Sequence, residues 1–128
     1  MSEQARAPQL GDVVTVALPQ RDPQGREQEG FRPAVVVGLP DVLGPGRFPF
    51  IVLVPLTSYK GQAWVQAAPE RYPIMPAGTA RLRAASVALV DQVTAVDATR
   101  LRRLRGPLDA DQYAQVRAGL ERMMGAGV

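Results

Sequence analysis

A series of short, β-branched apolar runs, each cut off by proline or glycine, constrains this chain more than any other feature. GDVVTVAL (11–18), AVVVGL (34–39), FPFIVLV (48–54) and SVALV (86–90) are rich in valine and too short for core helices. Such runs read as strands buried on both faces, with Gly44-Pro45-Gly46 and Gly61 as turns between them. Further short strands are expected at 63–66 (AWVQ), at 101–105, and at 72–74, where Pro73 confines the segment to a sheet edge. Residues 76–85 read as irregular and 97–100 as a single helical turn. Only the end of the chain changes period. From Asp109, with Gln112 three residues on as in a capping box, Tyr113, Val116, Leu120 and Met123 recur at helical spacing. The pattern predicts a mainly β fold: a small barrel with one C-terminal α-helix against it.

At 128 residues and 46% apolar, the chain holds one core. Residues 1–9 (MSEQARAPQ) read as a flexible polar tail and 10–128 as the single domain. No apolar run approaches the roughly 18 residues of a membrane span, and the start lacks a signal-peptide core, so a cytoplasmic location without membrane contact is expected. The chain has no cysteine and no histidine. That removes disulfides, the usual zinc ligands and the usual neutral-pH proton shuttle. No metal or other cofactor is expected, and chemistry must run on carboxylates, hydroxyls, amides and arginine. Lys60 is the only lysine among 15 basic residues, so arginine supplies the other 14. Its planar fork suits phosphate and carboxylate. A net charge of +3 is mild, so a partner must be argued from a local patch.

Candidate chemistry gathers at three strand ends. A polar loop over residues 19–30 leads into Arg32-Pro33, which is expected at the mouth of the second strand. Pro55 is expected to end the third, with Thr57 and Ser58 just past it. Asp91 and Gln92 follow the 86–90 run. If the second and third strands are antiparallel neighbours, Arg32 comes beside Thr57. A guanidinium and a hydroxyl, under a loop bearing Glu27 and Gln28, can grip a tetrahedral phosphate. Each has a plainer alternative: a solvated arginine, turn hydroxyls, and an aspartate accepting backbone N–H groups.

In combination, GDVV, EQEGFRPAVVV, VPLTS, SVALVDQV and LDADQYAQV resemble the MazF/PemK family of toxin endoribonucleases, in order from about Leu10 to Met124. The resemblance implies an SH3-like barrel of the CcdB/Kid/MazF type, a homodimer, and metal-independent cleavage of single-stranded RNA at short sequences. It also implies a cognate MazE-like antitoxin whose acidic, apolar tail covers the site. On this resemblance Arg32 and Thr57 form the catalytic pair, while Glu27 and Gln28 meet RNA. Two departures stand out. Phe31 occupies a position where many relatives carry histidine or a small residue. Leu89 occupies the position where the PemK/Kid branch has an arginine two residues before its aspartate. The segment 69–85 is longer than usual.

For such a reaction Arg32 and Thr57 would stabilise charge on the phosphate. Glu27 or a water would serve as base. Phe31, Ser58, Tyr59, Asp91 and Gln92 would contact substrate, with Phe31, Tyr59 and Trp64 as candidates to stack on bases. Arg100, Arg102, Arg103 and Arg105 form the densest basic run. The alternatives are a CcdB-type gyrase poison, which needs a tryptophan near its C-terminus, and a non-catalytic binding barrel. This chain's only Trp is at position 64, and its seven aromatics are scattered.

Overall fold

A computed structural model describes residues 6–126. Seven strands run as β1 (Asp12–Leu18), β2 (Gly30–Gly38), β3 (Phe50–Ser58), β4 (Ile74–Met75), β5 (Ser86–Ala88), β6 (Thr94–Asp97) and β7 (Leu101–Pro107). Two helices, α1 (Ala63–Gln66) and α2 (Ala110–Met123), complete the fold with several 3-10 turns. The strands form one antiparallel sheet in the order β4-β5-β3-β2-β1-β7, with β6 also paired to β3.

Alternation along β1, β2 and β3 explains why these strands are apolar on both faces. Val13, Val35 and Val54 join one cluster with Val116 of α2, while Val14, Val16, Ala34, Val36 and Leu53 join a second on the other face. Leu104 of β7 and Val96 of β6 belong to that second cluster. In a flat sheet four strand spacings, about 19 Å, would separate them. The sheet therefore curls into a half-barrel around the second cluster, and α2 covers the first. A capping box starts α2: Gln112 N–H donates to Asp109 Oδ1 (2.8 Å) and Asp109 N–H to Gln112 Oε1 (3.0 Å).

Four local expectations are corrected. β2 begins at Gly30, so Arg32 and Pro33 lie inside the strand, paired with Val16 and Thr15 of β1. Pro55 does not end β3, which runs on through Thr57 and Ser58. Both prolines sit where one ladder stops: the β2–β3 pairing ends at Ala34↔Pro55, and beyond it β3 pairs with β5 from Leu56. A missing N–H costs nothing at such a changeover. AWVQ is the single turn α1, not a strand. β5 already lies between β4 and β3, and one turn suffices to bury Val65 on Val87 and Leu89. The short strand β6, with Val96 its only buried residue, carries too little periodicity to be read in advance.

The edge strand before Pro76 is two residues long and pairs only with β5. Residues 1–5 of the polar tail lie outside the described residues. Arg6 and the Gln9 N–H both bond the buried Asp12 carboxylate (3.0 and 2.7 Å), which ties the chain down before β1.

Candidate active site

The end of the β2–β3 ladder builds the site. The pairing ends at Ala34↔Pro55, and extending its register two steps would set Arg32 level with Thr57. Alternation along each strand sets Arg32 on the face of Ala34 and Thr57 on that of Leu53. Arg32 is exposed, and its Nε donates to the Glu29 carbonyl (3.1 Å). Thr57 is half-buried opposite Val87 of β5. Beneath it lies a small third cluster of Val65, Val87 and Leu89, with Tyr59 and Tyr72 packed on it.

Thr57 lines a cavity of about 310 Å³ together with Gln28, Gln62, Trp64, Tyr72 and Asp91. Its walls come from segments far apart in sequence, and hydrogen bonds lock them. The Gln28 N–H donates to Gln92 Oε1 (2.8 Å), which docks the long loop onto the 3-10 turn Val90–Gln92. Gln62 bridges the exit of β3, accepting from the Lys60 N–H (2.7 Å) and donating to the Ser58 carbonyl (3.1 Å). Asp91 Oδ2 accepts from Arg71 Nε (2.9 Å) and the Tyr72 hydroxyl (2.8 Å). Burial, followed by the bond to Asp91, raises the Tyr72 pKa above that of an ordinary phenol. Tyr72 also meets Trp64 edge-on, with ring centroids 4.8 Å apart. Asp91 Oδ1 and Gln28 Oε1 are buried without a partner among the described residues.

Thr57, Gln28, Asp91 and Gln92 thus line one cavity, while Arg32, two residues before the last β2–β3 pair, does not line it. Glu27 borders the same group. Its carboxylate lies over Gly25, and it lines a neighbouring cavity of about 260 Å³ with Arg21, Gln28, Asp91 and Gln92. Strand alternation sends Phe31, 71% exposed, to the face opposite Arg32, and Ser58 away from Thr57. Tyr59 rests on the third cluster, its hydroxyl accepting from Gln66 Nε2 (3.2 Å). Trp64 is 46% exposed at the cavity. Sequence reading missed Arg71, Tyr72 and Gln62. Arg71 gives Asp91 the cationic neighbour that Leu89, buried in the third cluster, cannot. The only advance signal was an Arg-Tyr-Pro run before an edge strand, which names no partner 20 residues on. Among the described residues, no group of three or more carboxylates gathers as a metal site would require.

The sequence matches the PemK-like, MazF-like toxin family of type II toxin-antitoxin systems over residues 9–124. The chain belongs to this family. No curated protein sequence matches it. Solved structures of similar fold include MazF from Deinococcus radiodurans, 24% identical with a TM-score of 0.70, covering 94% of this chain and 98% of that one. An endoribonuclease from a mycobacterial species in complex with its cognate antitoxin is 17% identical (TM-score 0.64; 93% and 96% covered). The Mycobacterium tuberculosis toxin MazF-mt6 is 16% identical (TM-score 0.64; 91% and 99% covered). These likenesses establish a common fold. Among the described residues, no helix is long and apolar enough to cross a membrane.

Proposed function

We propose that this chain is a sequence-specific endoribonuclease that cleaves single-stranded RNA without a metal, as the toxin of a type II toxin-antitoxin module. The observation that carries this reading is the antiparallel β2–β3 pairing, whose continuation would set Arg32 level with Thr57, together with a cavity at Thr57 walled by amides and aromatics. Membership of the toxin family and a similar endoribonuclease structure support it. A cytoplasmic homodimer silenced by a MazE-like antitoxin belongs to the same proposal, and antitoxin complexes among the similar structures support the partner.

In this mechanism the ribose 2′-oxygen attacks the adjacent phosphorus, and the P–O5′ bond breaks. A 2′,3′-cyclic phosphate and a 5′-hydroxyl result. The 2′-hydroxyl proton passes to Glu27 or to water, and the leaving oxygen takes a proton from water. Negative charge gathers on the nonbridging oxygens, where the Arg32 guanidinium and the Thr57 hydroxyl oppose it. One such donor is worth about 3–4 kcal/mol. Arginine keeps its proton at neutral pH and so serves as an electrostatic stabiliser, not a base. Asp91, already accepting two donors, serves to fix Tyr72 and the wall of the cavity. Gln28, Gln92, Trp64 and Tyr72 offer amide and aromatic surface for reading unpaired bases.

The test is product chemistry under chelation. Cleavage of single-stranded RNA in excess EDTA, leaving cyclic phosphate and 5′-hydroxyl ends, is the expected result. Activity lost in EDTA and restored by magnesium would overturn the mechanism.

A further inference from the structure

We propose that the arginine-rich edge of β7, with the cavity between it and residues 78–81, is a second phosphate-binding surface. It would hold single-stranded nucleic acid outside the Arg32–Thr57 site. The proposal extends the RNA-cleaving reading, but its chemistry rests on phosphate alone.

β7 closes the sheet order, and two irregularities break its pairing with β1. Thr15 and Val16 face Arg103 and Leu101, while Val13 and Val14 face Gly106 and Leu104. Arg102 and Arg105 are therefore the extra residues of two bulges, a device that re-aims side chains. Arg105 turns onto a neighbouring segment, donating from Nη2 to the Arg81 carbonyl (2.7 Å) and from Nη1 towards Thr15 Oγ1 (3.5 Å). Its Nε is buried without a partner among the described residues. The cavity there, about 490 Å³, is lined by Arg6, Arg81 and Arg105 beside Ala80 and Gly106, and by no acidic residue.

Arg83, Arg102, Arg103 and Arg105 have no carboxylate partner among the described residues. Burial, then the charges of Arg103, Arg83 and Arg81, pull the Arg105 pKa below the usual guanidinium range. Arg83, Arg103 and Arg105 thus lie close enough for their like charges to be felt.

Edge protection is the simpler account, since bulges and charges blunt exposed strands. It covers β7 but not Arg81 and Arg83, which converge from the segment before β5. Nor does it explain the left-handed backbone at Ala80 and Arg81 (φ 48° and 63°), which brings their turn to the cavity. The bulges and Pro107 also make this edge a poor template for an added peptide strand. A polyanion that reads charge fits better. Placement agrees: Val16 pairs with Arg32 on one side and Leu101 on the other. Two strand spacings set the start of the arginine edge about 10 Å from the Arg32 backbone.

The test uses single-stranded oligothymidylate of about 20 nucleotides, longer than the roughly 4–16 that one small barrel covers. It carries phosphates but no 2′-hydroxyl, so it cannot be cleaved by this chemistry. The double variant R83S/R103S alters two exposed side chains. Fluorescence anisotropy across a salt series should show weaker binding and a slope of log affinity against log salt shallower by about 1.4, or about 0.7 per contact. R83K/R103K should keep most of the slope. An unchanged slope in R83S/R103S would overturn the proposal. So would tighter, Arg83- and Arg103-dependent binding of oligoglutamate of equal charge, which would mark an acidic polypeptide as the partner. A chain that cuts no RNA yet binds oligothymidylate through these arginines would lose the proposed activity and keep this surface.

Discussion

Replacing Gly119 with alanine should destabilise the protein, although helix propensity alone says the opposite. Gly119 lies inside α2, where alanine is favoured over glycine by about 1 kcal/mol. A Cβ built at this position, however, lies 2.7 Å from the Glu70 carbonyl oxygen and 3.5 Å from Val90 Cγ1. The first contact is with backbone, so no rotamer change relieves it. The helix must move off the two segments that carry Arg71 and Asp91. Overpacking of this kind costs about 1–3 kcal/mol, which leaves a net loss of about 1 kcal/mol and a fall in Tm of roughly 3–6 °C. Urea unfolding measures it as a lower midpoint at unchanged m. Ala118→Gly, at an exposed neighbour on the same helix, should lose about 1 kcal/mol by propensity alone. If Gly119→Ala instead raises the midpoint by as much as Ala118→Gly lowers it, α2 does not rest on the Glu70 carbonyl, and the packing argument is refuted.

Burial raises the pKa values of Tyr72 and Tyr113 above 10.0, so the fold prefers both phenols protonated. Their contribution to stability is full below pH 10 and lost as pH rises through the folded values, so urea midpoints should fall across that range. Tyr72→Phe removes a donor from a half-buried carboxylate and should cost about 1–2 kcal/mol at neutral pH, with a weaker alkaline loss. A flat midpoint above pH 10 in the wild type would contradict this. Asp109→Ala removes the carboxylate that accepts from the Gln112 N–H, leaving only the backbone bond to Gln112 Oε1, and should lower stability by about 1 kcal/mol in the same assay, while an unchanged midpoint would show the cap to be idle.

Much of this fold could be read from the chain because its strands are buried on both faces and its helix on one. Val13–Val16, Ala34–Val36 and the Asp109–Gln112 cap each carry a signal that tertiary structure only reinforces. Prolines misled in a consistent way. Pro33 and Pro55 mark the end of a ladder between two strands, not the end of either strand, and that distinction depends on which neighbour a strand has. Trp64 and Val65 favour strand by propensity, but tertiary packing overrides it: a single helical turn buries Val65 on Val87 and Leu89. At the site, the antiparallel neighbourhood of β2 and β3, from which Arg32 was expected near Thr57, is present, and its pairing runs to Ala34↔Pro55. The clamp of Arg71 and Tyr72 on Asp91 could not be foreseen, because it joins an irregular segment to a 3-10 turn through side chains only. Glu27 stands on the loop that the sequence indicated, and it lines a cavity with Gln28, Asp91 and Gln92.

The most direct measurement is single-turnover cleavage of a single-stranded RNA by Arg32→Ala and Thr57→Ala, each compared with the wild type at matched folded fraction. Arg32 is exposed and Thr57 half-buried, so Arg32→Ala should leave stability within about 0.5 kcal/mol. Both variants should cut at least about a hundredfold more slowly, the loss typical of one transition-state donor. Wild-type cleavage by a folded Arg32→Ala variant would contradict the account.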